Sequence, residues 1–279
     1  MRQLERLKRL ADPFRPHLEP AFLIIGAQKA GTSALFKLLA AHQQVLAPVV
    51  KEHHHFDRDL EFEKGQAHYL RGFPLRPIRT GPKVTFEATP NYLFQPAVPA
   101  RIHARLPHIR LIAVLRDPVS RAHSAWNMYH QFADHPRYAH LYDPRSFEQA
   151  VGDEMAGRTL LDPHRYLARG CYAPQLRRYF DLFGRDRMLL FRHDELDREP
   201  EAVMQQCTSF LGLEPYSGAK EHLSVRDNVR PYSQRMSPEL RERLNAYFAP
   251  HMAELVALLG PEWDLRDVNK RATSNASPN

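Results

Sequence analysis

Short, continuous runs of apolar residues recur along the chain and are separated by stretches with helical spacing. The first run is AFLIIGA (residues 21–27), and after a short loop it is followed by SALFKLLAAH, in which apolar residues recur every three or four positions. Similar runs are KVTFEA (83–88), IRLIAVL (109–115) and RMLLFRHDEL (187–196). Continuous rather than alternating apolar runs are typical of strands covered on both faces. The pattern predicts an α/β fold in which helices flank a central parallel sheet in three layers.

The loop after the first apolar run has the composition of a phosphate-binding loop. It comprises Gly26-Ala27-Gln28-Lys29-Ala30-Gly31-Thr32-Ser33 and leads into a predicted helix, whose first N–H groups carry partial positive charge. In a P-loop the lysine follows the second glycine, whereas here Thr32 stands there and the lysine is Lys29. The strand that would supply a magnesium-binding carboxylate ends in Arg116, followed by Asp117. The loop alone fits an anion site or an ordinary turn. Its residues favour an anion that is neutralised by protein cations and not by a metal ion.

Composition narrows the class of protein without choosing a ligand. The 279 residues, 43% of them hydrophobic, suffice for one large domain, and the formal net charge of +7 should attract nucleic acid, an anionic membrane, a nucleotide or a sulfated sugar. Two cysteines provide neither a disulfide framework nor paired zinc ligands, which indicates a reducing compartment. Without an apolar run of about 20 residues or a signal peptide, we expect a soluble, cytoplasmic protein with no transmembrane segment.

Two segments resemble the donor-binding motifs of a known enzyme family. FLIIGAQKAGTSALFKLLAAH is similar to the 5′-phosphosulfate-binding loop of sulfotransferases that use 3′-phosphoadenosine 5′-phosphosulfate (PAPS), and LRDPVSRAHSAWNMY resembles their segment R-D-P-x-x-R-x-x-S. The resemblance is closest to the heparan sulfate and related carbohydrate branch and its bacterial relatives. It implies a P-loop-like fold and assigns the 3′-phosphate to Arg116 and Ser124. An arginine fork suits phosphate, although Arg116 alone would fit a surface salt bridge better.

Two further segments resemble the part of these enzymes where the acceptor reacts. VVKEHHHFD is similar to a family segment in which an acid precedes a histidine by two residues, so Glu52 corresponds to the general base and His54 to its neighbour. FEATPNYLF resembles E-K-[ST]-P-x-Y-F, with Glu87 in place but Ala88 where the family has a lysine. In relatives that lysine helps to place or neutralise the donor. The sequence leaves open which cation, if any, replaces it.

The resemblance continues to about residue 265 and adds three candidate nucleotide-binding residues. RGCYAPQL is similar to the family's G-x-Y-x-x-x-L block and contributes Tyr172. SVRDNVRPYSQ occupies the place of the family's basic loop over the nucleotide, with Arg226 and Arg230 as candidates, although the K-G-R spacing of the carbohydrate enzymes is not reproduced.

The resemblance implies an in-line transfer of a sulfuryl group from PAPS to an acceptor hydroxyl or amine, which leaves adenosine 3′,5′-bisphosphate (PAP). Such a reaction depends on positioning and electrostatics and requires no metal. Lys29 would stabilise the leaving oxygen, Glu52 would take the acceptor proton, and His54 would orient Glu52 or share the proton. The predicted donor loop supplies Gln28 and Lys29 and the amides of Ala30, Gly31, Thr32 and Ser33.

We predict a single domain at residues 21–269, an N-terminal helical extension at 1–20 and a flexible tail at 270–279. The leucines of the extension also allow a membrane-surface helix, although a solvated or docked helix is the simpler interpretation. Residues 128–165 are polar and aromatic without a clear period, and we interpret them as a lid or acceptor-facing insertion. In the last long helical pattern Ser237 is the predicted cap and Pro238 the first helical residue.

The acceptor cannot be named from the sequence, and carbohydrate sulfation is one option beside lipids, peptides and small molecules. Several residues either hold the acceptor or pack beneath the lid: Arg121, Trp126, Tyr129, His130, Arg165 and Tyr166. We expect no nucleic acid partner, and the oligomeric state stays open. The alternatives are a P-loop-type kinase or NTPase, which the position of Lys29 opposes, and a non-catalytic polyanion-binding module, which only Ala88 favours. Three successive histidines suggest a metal site, but adjacent side chains diverge and no Asp or Cys cluster accompanies them.

Overall fold

A five-stranded, entirely parallel sheet forms the centre of the molecule in the computed structural model, which describes residues 15–78, 81–159, 161–216 and 233–266. The strand order is β2-β3-β1-β4-β5. The strands are β1 (Pro20–Gly26), β2 (Val45–Leu46), β3 (Val84–Ala88), β4 (Arg110–Leu115) and β5 (Met188–Arg192). The predicted parallel sheet is confirmed, because all four long apolar runs contain strands of this one sheet.

Helices pack around the sheet and follow the strands in a largely alternating order. They are α1 (Thr32–Ala40), α2 (Asp59–Glu63), α3 (Gly65–Leu70), α4 (Val98–Arg105), α5 (Pro118–His130), α6 (Phe147–Met155), α7 (Tyr172–Phe183), α8 (His193–Arg198), α9 (Pro200–Leu211) and α10 (Pro238–Leu259). Most of the predicted N-terminal extension and the whole predicted tail lie outside the described residues, as do Arg226 and Arg230.

The apolar run that predicted β1 is buried because the strand is central. Residues 22–25 are completely inaccessible to solvent, with β3 on one side and β4 on the other. Parallel strands present their carboxyl ends at one edge of the sheet, so the segments that follow β1, β3 and β4 meet there. The short strand β2 was missed because two residues are too few to show a period.

A second apolar cluster lies between α5, α6 and α10. Helix α6 falls inside residues 128–165, which showed no clear period in the sequence and which we interpreted as a lid or acceptor-facing insertion. The helix begins with a reciprocal capping box between Ser146 and Gln149. Arg121, Trp126 and Tyr166 are completely buried, so they pack in the core instead of facing an acceptor. Whether the rest of this region acts as a lid stays a prediction.

Helix α10 begins as the sequence predicts. The Ser237 hydroxyl accepts a hydrogen bond from the backbone N–H of Leu240 at 3.1 Å, and Pro238 is the first helical residue. Helix α10 has 22 residues and packs against both clusters: Leu240, Leu244 and Phe248 belong to the second cluster, whereas Met252 and Leu255 belong to the cluster around the sheet. In the described part of the chain no helix is both long and apolar enough to span a bilayer.

Candidate active site

The predicted anion loop connects β1 to α1 at the carboxyl edge of the sheet. Gly31 precedes the first residue of α1 with φ of 100°, and no side chain caps this helix end. A Cβ at Gly31 would lie 3.0 Å from Cδ2 of Leu196 and 3.1 Å from Nδ1 of His193. Both the backbone conformation and the space therefore require glycine at this position. The uncapped helix end leaves its amides available to an anion.

The structure narrows the set of amides that we predicted for the 5′-phosphate. The Ala30 N–H donates to the Ala27 carbonyl at 3.1 Å and is therefore engaged inside the loop. The amides of Gly31, Thr32 and Ser33 begin the helix, where backbone N–H groups have no acceptor within their own helix. These three groups are the anion donors that the loop geometry favours.

Lys29 lies in the loop with φ of 66°, a left-handed conformation that is uncommon for a residue other than glycine. Its carbonyl accepts a hydrogen bond from Nη1 of Arg116 at 3.0 Å, and its Nζ lies 3.8 Å from the Met128 sulfur. The neighbouring Gln28 donates through Nε2 to the Tyr129 hydroxyl at 2.9 Å. The loop is therefore attached to the end of β4 and to α5, the elements that carry the predicted 3′-phosphate residues.

Arg116 follows β4 directly and Ser124 lies in the second turn of α5, and both side chains are partly accessible. The hydroxyl of Tyr172 donates to the Arg116 carbonyl at 2.8 Å, and burial raises the pKa of this phenol to about 12. Tyr172 is completely buried. It therefore fixes the backbone of Arg116, while a contact with the nucleotide itself stays a prediction.

The Asp117 side chain caps the start of α5. Its carboxylate accepts from the backbone N–H groups of Val119 at 3.4 Å and Ser120 at 3.0 Å, and it lies 3.5 Å from Arg241. These contacts make it the N-cap of its own helix. Asp117 is the carboxylate that follows the strand where a nucleotide triphosphatase has its magnesium ligand, and here it is used structurally, which argues against the kinase alternative.

Glu52 and His54 form an ion pair at the carboxyl edge of β3. Oε2 of Glu52 lies 3.5 Å from Nε2 of His54, whose Nδ1 lies 2.9 Å from Asp57. Burial alone would raise the pKa of Glu52, but the hydrogen bond from His54 and the charge of Lys51 outweigh it and lower this pKa to about 2. Burial opposes the charge of His54, yet Asp57 and Glu52 raise its pKa to about 9. Glu52 keeps 39% of its side chain exposed, so a substrate can reach the carboxylate.

The other two histidines of the triplet point elsewhere. His53 stacks on Phe73 with ring centroids 4.5 Å apart, and His55 stacks on Tyr69 at 4.6 Å. Burial is the largest influence on both and lowers each pKa to about 4. The three side chains diverge, as expected for consecutive residues. Within the residues that the structure describes, no group of His, Cys, Asp or Glu is arranged to hold a metal.

The buried carboxyl of Glu87 joins the two acceptor-side motifs. It accepts hydrogen bonds from the hydroxyls of Tyr69 at 2.6 Å and Thr89 at 2.8 Å and from the backbone N–H of His53 at 3.2 Å. The hydroxyl of Tyr92 donates to Glu87 and accepts from the N–H of His55 at 3.0 Å. The motif that begins at Glu87 therefore holds the backbone of the loop that carries Glu52 and His54.

Sequence reasoning missed three polar residues that support this centre. Lys51 contacts both Ser33 and Glu52 at 2.9 Å. Asn91 donates to Asp57 at 2.5 Å and accepts from the buried Arg169 at 2.7 Å. For Lys51 the only available signal was its place before Glu52. Asn91 and Arg169 are 78 residues apart, so their contact has no local signature.

Comparison with known proteins places these features in one family. The sulfotransferase domain family matches residues 19–226. The bifunctional heparan sulfate N-deacetylase/N-sulfotransferase of Drosophila melanogaster is 29% identical over 275 residues, covering 86% of this chain and 26% of the relative. The human bifunctional heparan sulfate N-deacetylase/N-sulfotransferase 2 is 29% identical over 278 residues, covering 88% of this chain and 30% of the relative. The chain thus spans about a quarter to a third of these relatives.

Two solved structures show the same architecture along most of their length. The sulfotransferase from Alicyclobacillus acidocaldarius is 31% identical with a TM-score of 0.68, and the match covers 86% of this chain and 96% of that one. A mouse sulfotransferase complexed with PAP has a TM-score of 0.56 at 14% identity, covering 97% of this chain and 94% of that one, and so shares the fold. Because the family match spans most of a chain that also carries its loop and parallel sheet, this protein belongs to the sulfotransferase domain family.

Proposed function

We propose that the chain transfers a sulfuryl group from PAPS to an acceptor hydroxyl or amine, with Glu52 as general base. The observation that carries the proposal is the junction of the anion loop with the Glu52–His54 pair. Lys51 contacts Ser33 in the first turn of α1 and Glu52 in the adjacent loop, both at 2.9 Å. A donor held at α1 and an acceptor held at Glu52 would therefore meet.

The residues that bind the donor PAPS are assigned from the charges around the anion loop. The 5′-phosphate binds to the amides of Gly31, Thr32 and Ser33 at the uncapped start of α1. Arg116 and Ser124 bind the 3′-phosphate, which distinguishes PAPS from ATP. The solved mouse sulfotransferase with PAP supports this choice of nucleotide. Arg226 and Arg230 remain candidates for the same nucleotide, from the sequence resemblance alone.

In the transfer step the acceptor oxygen or nitrogen attacks sulfur as the bond between sulfur and the phosphate oxygen breaks. The Lys29 ammonium neutralises the charge that develops on this leaving oxygen, and PAP is released. Glu52 takes the proton of the acceptor, while His54 holds the carboxylate in place. The atoms and charges balance without any further reactant.

For the acceptor we propose a carbohydrate. The curated relatives are named for heparan sulfate, and a surface with a net charge of +7 suits a chain that already carries sulfates or carboxylates. Glu52 is exposed enough for the hydroxyl or amine of a large substrate to reach it.

Calorimetric titration with PAP, followed by transfer from labelled PAPS to a panel of glycans, phenols and lipids, tests the proposal. We expect PAP to bind wild type, and we expect Lys29→Ala and Glu52→Ala each to lower transfer by about a hundredfold or more, because each removes a preorganised charge or a base. Folded wild-type protein that binds no PAP would contradict the proposal. A steep salt dependence with nucleic acid would then favour the polyanion-binding alternative.

A further inference from the structure

Lys51 is anchored where the two halves of the candidate site meet. Its carbonyl accepts a hydrogen bond from the backbone N–H of Ala88 at 2.9 Å, which fixes its backbone beside the end of β3. Strand β3 pairs with β1, which leads into the anion loop. The side chain of Lys51 is only 22% exposed and extends from the acceptor loop towards α1.

The Lys51 ammonium lies between the predicted donor site and the predicted base. Nζ donates to Oγ of Ser33 and to Oε1 of Glu52, each at 2.9 Å. A lysine that only neutralised its sequence neighbour Glu52 would not need to reach the first turn of another element. An ammonium has three donors in a tetrahedral arrangement, so it can serve two sides of a site at once.

We propose that Lys51 is a second cation of the reaction centre and binds the non-bridging oxygens of the sulfuryl group during transfer. The inference rests on the proposed function. Lys29 faces the oxygen that leaves with PAP, whereas Lys51 faces the group that moves. At position 88 the side chain is that of a buried alanine and supplies no charge, so Lys51 is the cation that the loop after β2 brings to this place.

A change of partner by Lys51 also links donor binding to the base. Without a donor, Lys51 pairs with Glu52. Burial raises the pKa of Glu52, but the hydrogen bond from His54 and then the charge of Lys51 lower it to about 2. When the ammonium turns to the sulfuryl oxygens, the pKa of Glu52 rises and the carboxylate becomes a better proton acceptor. Positive charge thus follows the sulfuryl group while the acceptor proton moves to Glu52.

The test compares Lys51→Met and Lys51→Arg with wild type and with Lys64→Met. Lys64 is a matched control because it also pairs with a glutamate, Glu61 at 2.7 Å, but on the exposed helical segment after the site. The readouts are the single-turnover conversion of PAPS to PAP with water as acceptor and the calorimetric affinity for PAP, which lacks the sulfuryl group. Thermal melting confirms that each variant is folded.

We expect Lys51→Met to slow the turnover of bound PAPS by about a hundredfold and to change PAP affinity by less than about threefold. Lys51→Arg should keep most of the turnover rate that Lys51→Met loses, and Lys64→Met should behave as wild type. An unchanged rate in Lys51→Met overturns the inference. So does an equal loss of PAP affinity, which would make Lys51 a phosphate ligand, or full recovery of rate at higher pH, which would make it only a support for Glu52. Wild type that neither binds PAP nor converts PAPS would instead reject the proposed function.

Discussion

The three consecutive histidines show how far the surroundings of a residue determine its chemistry. His53 and His55 are buried against aromatic rings, and burial lowers each pKa to about 4. His54, between them, has a positive φ of 54° that turns its ring towards two carboxylates, which raise its pKa to about 9. One residue type therefore gives two neutral packing groups and one cation, and only the cation contacts Glu52.

Replacement of His54 by asparagine should shift the acidic side of the pH profile of kcat/KM to higher pH. Asparagine tolerates a positive φ, but it removes the charged partner whose hydrogen bond is the largest contribution that lowers the pKa of Glu52. The pKa of Glu52 then rises from about 2 towards its ordinary value near 4.5. A base that keeps its proton to higher pH is inactive over a wider acid range, so kcat/KM of His54→Asn should fall at about one to two pH units higher than that of wild type.

The measurement is a pH profile of kcat/KM between pH 3 and 7, restricted to conditions in which fluorescence shows folded protein. His68→Asn is the matched control, since His68 also lies 3.5 Å from a glutamate, Glu61, but is 44% exposed and outside the site. Profiles of His54→Asn and wild type that superimpose would show that Glu52 is not the base or that His54 does not tune it.

At the scale of elements, the site depends on how the segment after β3 holds the segment after β2. Glu87 is the centre of this contact, because its carboxyl is completely buried and receives hydrogen bonds from both segments. Burial raises its pKa to about 7, although each of these hydrogen bonds acts in the opposite direction. In the folded state the carboxyl therefore changes between its protonated and ionised forms near neutral pH.

Substitution of Glu87 by glutamine should change how stability depends on pH. A carboxyl whose pKa is raised on folding from 4.5 to about 7 contributes stability that is complete below pH 4.5 and is lost as the pH rises through 7. Glutamine does not titrate. Relative to Glu87→Gln, wild type should thus gain about 2.5 kcal/mol more unfolding free energy at pH 5 than at pH 8.

Urea unfolding of both proteins at pH 5, 6, 7 and 8 measures this difference. The other titrating groups are common to both proteins and cancel in the comparison. A difference that stays constant from pH 5 to 8 would mean that the folded-state pKa of Glu87 does not lie near 7, and the prediction would be wrong.

Local sequence signals predicted the elements of the fold better than the contacts between them. The runs that became β1, β3, β4 and β5 are continuous because central parallel strands are covered on both faces. Helix α6 was missed because its apolar face is short, although Ser146 and Gln149 have capping-box spacing. Glu52, His54 and Lys29 were predicted as site residues through motifs, whereas the contact of Arg169 with Asn91 depends on tertiary structure alone.

At the scale of the whole molecule, the proposed nucleotide would connect the two apolar clusters. The anion loop contributes Ala27 and Ala30 to the cluster around the sheet, while α5, with Ser124 on its second turn, belongs to the cluster that it forms with α6 and α10. A ligand that contacts both the loop and α5 should stabilise the folded chain as a unit. Its effect on unfolding therefore reports on the whole proposed site.

PAP at one hundred times its dissociation constant should add about 2.7 kcal/mol to the free energy of unfolding, which for a chain of this size raises Tm by about 5 °C. Scanning calorimetry at matched ionic strength measures the shift, since a basic protein also responds to salt. Arg116→Ala should remove most of the shift given by a fixed PAP concentration, because it removes the predicted partner of the 3′-phosphate. ATP has no 3′-phosphate, so it should shift wild type little. An equal shift with ATP, or one unaffected by Arg116→Ala, would show that the site does not recognise the 3′-phosphate and would restore the kinase alternative.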